Sequence, residues 1–226
     1  MKFVTYPGSV QNAVYRIVRA GFDSSINVVK GPSKPLGIIN PMLKVWCLPS
    51  EVDTESLNDH TRNGDDGLET FVVRCLLYYD LLNNNVVPYE DTDPILKTLS
   101  ELFEGTRDEI QIFDGNQWIL AEAAAEDDTE LVVINTLALR TRQPILLMRE
   151  DSSDPLRLQV ATGFTDDTIP LTSALTDDYD PGSLVYGLAK VNELQVVNRW
   201  DPMIDDSARG ECFGGLDVLI EISHEH

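Results

Sequence analysis

The chain has 226 residues, and 42% of them are hydrophobic, which is enough for one large domain or for a domain with an appendage. Its 38 acidic residues outnumber its 17 basic residues, so the formal net charge at pH 7 is −21. This balance excludes a broad basic face for nucleic acid and argues against docking on anionic lipid. No apolar run approaches the ~20 residues of a membrane helix, so no membrane contact is expected.

Asp outnumbers Glu among the acidic residues, 23 to 15, and Arg outnumbers Lys among the basic residues, 11 to 6. An Asp-rich, Lys-poor surface suits high salt, and an acidic bacterial or viral protein is the simpler interpretation. Three cysteines, Cys47, Cys75 and Cys212, form no CxxC pair. The sequence therefore predicts neither a disulfide framework nor a zinc site, and it indicates a reducing compartment.

The first elements alternate between helix and strand. Apolar residues at helical spacing predict a helix over Ser9–Ala20, with Ser9 as its N-cap. Strands are expected over Met42–Leu48 and Phe71–Leu81. Between them, residues 50–69 are almost wholly polar and predict a long exposed loop or hairpin tip.

The central elements begin with the most regular helical pattern. Asp93 as N-cap and Pro94 at the first helical position predict a helix over Asp93–Phe103. Two short strands, Ile110–Phe113 and Trp118–Ala121, are expected to flank a tight turn, at Asp114-Gly115-Asn116.

The remaining elements return the chain toward the sheet. Alternating apolar residues predict a strand over Leu131–Thr141, and a helix is expected over Leu184–Leu194. The alternation from Leu216 to Ile222 predicts a closing strand that joins the existing sheet.

This order indicates an α+β fold, with a mainly antiparallel mixed sheet and two or three helices packed on one face. The character of the chain changes after Pro144, where aspartates are scattered among short apolar pieces. We therefore expect a core domain over residues 1–145. An acidic extension over residues 146–226 is expected to return to the sheet as the closing strand.

No catalytic, cofactor-binding or metal-binding motif is present. The paired aspartates, such as Asp166-Asp167 and Asp177-Asp178, lack the spacing of a cation site, and solvated acidic turns are the better interpretation. His60 lies in the polar loop and is expected to be solvated. We predict no enzymatic activity and no cofactor.

The order of elements up to about residue 145 resembles the tail-terminator and tail-completion (neck) proteins of tailed bacteriophages. The pieces that carry the resemblance are Ser9–Ala20, Met42–Leu48, Phe71–Leu81, Asp93–Phe103 and Leu131–Thr141. The segment from Pro144 to His226 departs from the smaller members of that family and is expected to be an extension or insertion.

The resemblance implies a structural protein of the virion, assembled in the host cytoplasm. In that family, six copies typically form a ring that caps the tail tube and meets the head connector. The expected partners are therefore further copies of the chain, tail-tube proteins and connector proteins. DNA is expected to pass through without sequence-specific binding, because an acidic lumen repels phosphate.

Five residues are candidates for subunit contacts. The candidates are Asp65 and Asp66 in the polar loop, Arg140 and Arg142 at a strand end, and Trp200 in a loop-like context. Basic residues are scarce in this chain, so the two arginines are the natural partners of acidic residues on a neighbouring subunit. Tryptophan is typical of interface anchors.

Two alternatives stay open at this point. The chain is also compatible with an acidic, salt-adapted adaptor or binding module that remains monomeric. Less favoured is a metal-dependent hydrolase that uses the aspartate clusters.

Overall fold

The computed structural model of the chain describes residues 7–32, 41–48, 68–80, 88–107, 109–149, 155–205 and 211–223. Within these residues the fold is α+β, as predicted, with two helices and with mixed and antiparallel sheets. Helix α1 spans Pro7–Gly21 and helix α2 spans Pro88–Glu101. Neither of these two helices has the length and apolar character to cross a membrane. The strands are β1 (Asn27–Lys30), β2 (Met42–Cys47), β3 (Leu68–Asp80), β4 (Phe113–Ile119), β5 (Glu130–Val132), β6 (Pro144–Met148), β7 (Leu156–Gln159), β8 (Thr168–Pro170), β9 (Leu184–Leu188), β10 (Lys190–Asp205) and β11 (Glu211–Ser223).

The chain divides into two compact units, and the division differs from the predicted boundary at residue 145. The sheet unit combines Pro7–Ile110 with Val191–Ser223, and the described residues of the barrel unit fall within Gln111–Lys190. A boundary at residue 145 would cut through β6, which pairs with both β7 and β9. The barrel unit is therefore an insertion between α2 and β10.

The sheet unit contains five strands in the order β1-β2-β3-β11-β10. The predicted strands Met42–Leu48 and Phe71–Leu81 are confirmed as β2 and β3, which pair antiparallel. β1 pairs parallel with β2 at one side of the sheet. The predicted C-terminal strand is confirmed as β11, which pairs antiparallel with β3 in the interior of the sheet. This position explains its alternation, because every second residue from Leu216 to Ile222 is fully buried.

Both helices pack on the same face of this sheet. Val10, Val14 and Val18 of α1 lie one turn apart and are fully buried. Leu96 of α2 lies against Gly214 of β11, on the face that the buried side chains of β3 share. Apolar burial on this one face holds the sheet unit together.

Both helices begin earlier than predicted. α1 begins at Pro7, so Ser9 lies in its first turn and is not its N-cap. α2 begins at Pro88, so Asp93 does not cap it and Pro94 lies inside it. Thr92, in the added part of α2, is buried, and the carboxylate of Asp93 is bound by Arg199 of β10.

The barrel unit is built from six strands that close on themselves. β4, β9, β6 and β7 form a four-stranded sheet, and β5 pairs with β8. The bridge between Val160 and Leu171 continues the pairing of β7 with β8, and the bridge between Leu120 and Val133 joins β4 to β5. Among its described residues, these bridges connect the six strands in a closed order, so no strand of the barrel is a terminal strand of the kind that an open sheet has.

The interior of the barrel is apolar. Each of the strands β5 to β9, or the bridge that extends it, contributes one fully buried residue: Leu131, Ile145, Val160, Ile169 and Val185. Trp118 of β4 is also buried there, and its indole N–H donates to the carbonyl of Leu137 at 3.0 Å.

The predicted turn at Asp114-Gly115-Asn116 is a β-bulge inside the single strand β4. The pairing of β4 with β9 shifts between Phe113 and Gln117, and Gly115 has a φ of 90°. Asp114 points inward and is buried, and its carboxylate accepts the backbone N–H of Asn116 at 2.9 Å. A bulge and a tight turn use the same residue types, so the sequence did not distinguish them.

The predicted strand Leu131–Thr141 is wrong beyond Val133. The chain turns after the bridge at Val133, and the side chain of Asn135 accepts the backbone N–H of Leu137 at 3.2 Å. Ala138 then adopts a left-handed φ of 66°. The alternation of apolar residues continues through this turn, but Ile134 and Leu137 are exposed.

The predicted helix Leu184–Leu194 is also wrong, because the segment forms β9 and the start of β10. Val185 and Leu188 are buried in the barrel unit. Gly187 faces Asp114, whose Oδ1 atom would lie 2.4 Å from an added Cβ. Strand pairing on both sides of β9 therefore overrides the helical spacing.

Because the strands of the barrel pair with one another and enclose their own apolar core, we expect residues 111–190 to fold when they are expressed alone. The two ends of this segment lie close together, since the N–H of Ala189 donates to the carbonyl of Ile112 at 2.8 Å. We expect a β-type circular dichroism spectrum and one cooperative thermal transition. A broad, non-cooperative melt of the fragment would contradict the division into two units.

Candidate functional site

The candidate site lies on the face of the five-stranded sheet opposite the helices. Trp46 of β2 and Asp217 of β11 are both register partners of Arg74 on β3, so the three side chains project from this face. Neither of the two described helices packs on this face. The face carries aromatic and charged side chains where the helix-packed face carries aliphatic ones.

A groove of about 400 Å³ runs over this face. This volume is within the range of protein pockets that hold a drug-sized ligand. We call it the aromatic groove, and its lining residues are Trp46, Arg74, Leu76, Tyr78, Trp200, Met203 and Phe213. It combines large apolar surfaces with one guanidinium group, and Met203 at 51% exposure is its most open residue.

Arg74 is fixed at the centre of the aromatic groove. Its Nε and Nη2 atoms donate to the two carboxylate oxygens of Asp217 at 3.0 and 3.1 Å. Its guanidinium carbon lies 4.4 Å from the ring centroid of Trp200, which is a cation–π arrangement. Asn198 also donates to Asp217 at 3.3 Å. The buried carboxylate and the indole ring together hold the guanidinium in one orientation.

A second cation lies next to the same groove. The ammonium group of Lys44 is 4.3 Å from the ring centroid of Tyr78, and Lys44 is only 2% exposed. The ring of Tyr78 in turn lies 6.2 Å from that of Phe213. Lys44 and Arg74 thus place two cations at this groove, in a chain whose net charge is −21.

Two cysteines lie in the strands that carry the groove. Cys75 is fully buried on the helix-packed face, as its apolar surroundings predicted. Burial, with a smaller contribution from the charge of Asp217, raises the pKa of its thiol. Burial also raises the pKa of the Cys47 thiol to about 11. Both thiols are therefore protonated at neutral pH, which makes them poor nucleophiles.

The structure separates the five predicted contact residues. Trp200 lies half-buried in the aromatic groove, and its role as an interface anchor stays a prediction. Asp65 and Asp66 lie outside the described residues. Arg142 is exposed in a turn of the barrel unit, with a left-handed φ of 60°.

The expectation that Arg140 serves as a surface partner is corrected by its burial. Its Nη2 atom lies 2.5 Å from Oδ2 of Asp114, and its side chain is 9% exposed. Gln143 donates to the same oxygen at 2.6 Å and accepts the backbone N–H of Arg140 at 3.0 Å. Arg140 therefore neutralises a carboxylate inside the barrel unit and is not free to meet a neighbour's acids.

Members of the acidic pairs of the barrel unit accept hydrogen bonds from backbone and hydroxyl groups of its turns. Asp128 accepts the N–H of Ala125 at 2.7 Å, and Asp178 accepts the N–H of Glu126 at 2.8 Å. Asp167 accepts the hydroxyl group of Thr165 at 2.9 Å. Within the described residues, no group of three His, Cys, Asp or Glu side chains is arranged to hold a metal ion.

Sequence reasoning missed Arg74 and Asp217, which are 143 positions apart. Each was visible as a charged residue between apolar neighbours in a predicted strand. What the sequence does not contain is the register that places the two charges opposite each other, because that register depends on the pairing of β3 with β11.

The pair formed by Arg74 and Asp217 predicts a large cost for Arg74→Ala. Asp217 is 2% exposed, so the variant leaves its carboxylate buried without its charge partner. We expect a loss of about 2 kcal/mol in the free energy of unfolding, reduced from a fully buried pair because Arg74 is one-third exposed. Urea unfolding measures the loss.

Lys97→Ala is the matched control for that substitution. Lys97 pairs with Glu101 at 3.8 Å, and both side chains are largely exposed. The Lys97→Ala variant should lose no more than about 0.5 kcal/mol of the free energy of unfolding. Equal losses for the two variants would show that the Arg74 pair is no stronger than a surface pair.

The cluster of Asp114, Arg140 and Gln143 predicts that Gly187→Ala destabilises the barrel unit. The added Cβ would lie 2.4 Å from Asp114 Oδ1 and 2.7 Å from Gln143 Nε2. Such overpacking costs about 1–3 kcal/mol, or at least ~4 °C in the melting temperature of a unit of this size. Differential scanning calorimetry measures the shift. Gly8→Ala is the control: it adds a Cβ into open space and should not lower the melting temperature of either unit.

Comparison with protein-family models finds no match for this chain, and comparison with the curated proteins finds no relative. The functional proposal therefore depends on the sequence and on the geometry of the aromatic groove and the barrel.

Proposed function

We propose that the chain is a structural assembly subunit that forms a homo-oligomeric ring at the neck or tail end of a tailed virus, as a tail terminator or head–tail joining protein. The observation that carries the proposal is the aromatic groove with Arg74 fixed at its centre. The order of elements in the sheet unit supports the same proposal through its resemblance to tail-terminator proteins. The partners in such a particle are copies of the chain, tail-tube proteins and connector proteins.

The composition of the aromatic groove favours a protein partner. Trp, Tyr and Arg are enriched among the residues that dominate binding energy at protein interfaces, and Met is enriched across interfaces in general. The groove combines all four types, as Trp200, Tyr78, Arg74 and Met203. The guanidinium is held in place before binding, so a partner that contacts it does not have to order a long flexible side chain.

The edges of the five-stranded sheet also favour assembly. β1 and β10 are its terminal strands, and β10 is 16 residues long. A long terminal strand offers backbone groups to another chain, and natural proteins cover or blunt such strands. Charged residues and Pro202 interrupt β10, which limits uncontrolled pairing and leaves the groove for the specific contact.

The charge of the chain supports a passage for DNA. A net charge of −21 repels the phosphate backbone, so a strand that moves through a ring of these subunits is not held by it. This is the reverse of the basic surface by which nucleic-acid-binding proteins grip their ligand.

The proposal predicts that the purified chain forms particles several times heavier than its 25.2 kDa monomer. Light scattering at low and high salt gives the mass, and negative-stain electron microscopy shows whether the particles are rings with a central hole of duplex width. A chain that stays monomeric at every concentration, and whose melting temperature climbs steeply with KCl, would instead support the salt-adapted adaptor.

Two substitutions on β10 test whether the groove makes the contact. Met203→Asp puts a carboxylate at the groove, where Met203 is 51% exposed, and should reduce the particle to monomers. Val197→Asp is the matched control, because Val197 is 39% exposed on the same strand and does not line the groove. Particles that survive both substitutions would exclude the groove as the contact.

A further inference from the structure

The barrel unit exposes a group of large apolar side chains at one place. Ile119, Ile134 and Leu137 are 39%, 64% and 79% exposed. The N–H of Ile134 donates to the carbonyl of Ile119 at 3.1 Å, so these residues are neighbours across β4 and the turn that follows β5. We call these three residues the apolar knob. Such a group on the surface of a folded unit marks an interaction site.

The backbone of the apolar knob is held rigidly in its turn. The carbonyl of Leu137 accepts the indole N–H of Trp118 at 3.0 Å, and its N–H is bound by the side chain of Asn135. Ala138 adopts a left-handed φ of 66°, a conformation that non-glycine residues rarely adopt. Leu139 is buried directly after it while Leu137 is exposed. Backbone strain of this kind is concentrated at functional segments.

An acidic rim borders the apolar knob. The N–H of Thr136 donates to the carbonyl of Asp166 at 2.9 Å, and the N–H of Val133 donates to that of Asp167 at 2.7 Å. Both aspartates are exposed. The surface is thus apolar at its centre and negative at its edge.

The aromatic groove of the sheet unit has the opposite character. It is a concavity lined by aromatic rings, and its central guanidinium has a free position. Nε and Nη2 of Arg74 are bound by Asp217, and Nη1 has no hydrogen-bond acceptor among the described residues. A partner with an apolar centre and a carboxylate at its edge would satisfy both features.

We propose that the apolar knob of one copy docks in the aromatic groove of a second copy, with the acidic rim facing Arg74. This inference rests on the proposed assembly function and specifies its contact. The charge complementarity of the two surfaces identifies the occupant, because the knob supplies an apolar centre with exposed aspartates beside it. The five exposed large apolar residues of the described chain support the pairing, since three form the knob and a fourth, Met203, lines the groove.

Docking of a knob in a groove makes the contact heterologous. Each copy binds with its knob and is bound at its groove. A row of copies joined in this way therefore has a free groove at one end and a free knob at the other. Heterologous contacts of this kind generate a ring when the rotation between copies closes. A contact of one groove with another groove would stop at a dimer.

A mixing experiment tests the pairing in the full-length chain. Leu137→Asp removes the knob and keeps the groove, whereas Met203→Asp removes the groove and keeps the knob. Each variant alone should be monomeric by light scattering, with a dissociation constant at least tenfold weaker than that of the wild type. An equimolar mixture should form a dimer, because one intact knob and one intact groove remain.

The double variant Leu137→Asp/Met203→Asp is the control for the mixture, since it should pair with neither single variant. Calorimetry on each protein confirms that the exposed substitutions leave it folded. If Leu137→Asp assembles like the wild type while Met203→Asp does not, the groove binds another surface and the inference is overturned, while the assembly function stands. If the two single variants are monomeric and their mixture stays monomeric, the pairing is likewise overturned. A wild-type chain that never assembles overturns the proposed function itself.

Discussion

The pairing of β3 with β11 is the constraint on which the sheet unit depends. The two strands are 13 residues long and are paired along their whole length, although residues 81–210 separate them in the chain. The fully buried side chains of β11 complete the core beneath α1 and α2. The same register places Asp217 opposite Arg74 and therefore builds the aromatic groove on the other face. One pairing thus determines both the core and the candidate site.

The barrel unit can be inserted into this arrangement because it satisfies its own backbone and core. Its strands close without a free edge, and its buried carboxylate is neutralised internally by Arg140 and Gln143. Its acidic turns use their carboxylates to bind backbone N–H groups, as Asp128 and Asp178 do. Some of the aspartates that give the chain its high net charge thus also shape turns.

The sequence predicted the parts of the fold in which local pattern and tertiary burial agree. β3 and β11 were found because apolar residues recur at every second position, and β2 was found as a short apolar run that ends before Pro49. The stripe of α1 was found because Val10, Val14 and Val18 share one buried face. The failures fall in the barrel unit, where the elements are short and pairing decides the conformation. The spacing at Leu184–Leu194 fits a helix, but strands on both sides of β9 and the buried Asp114 require a strand with glycine at 187. Of the candidate site, only Trp200 was predicted, because the partners of a groove lie on strands that are distant in sequence.

The strength of the proposed contact depends mainly on how much apolar surface it buries. The apolar knob offers three aliphatic side chains, and burying each contributes on the order of 1.5–3 kcal/mol before the cost of association is subtracted. Such a contact is weak between two free copies. In a closed ring each copy makes the contact twice, so the ring is held together far more strongly than an isolated pair of copies. The repulsion between copies that each carry −21 opposes association wherever no complementary surface is present. The proposed contact is therefore weak as a single pair, selective for a surface of complementary character, and strong only where the ring closes.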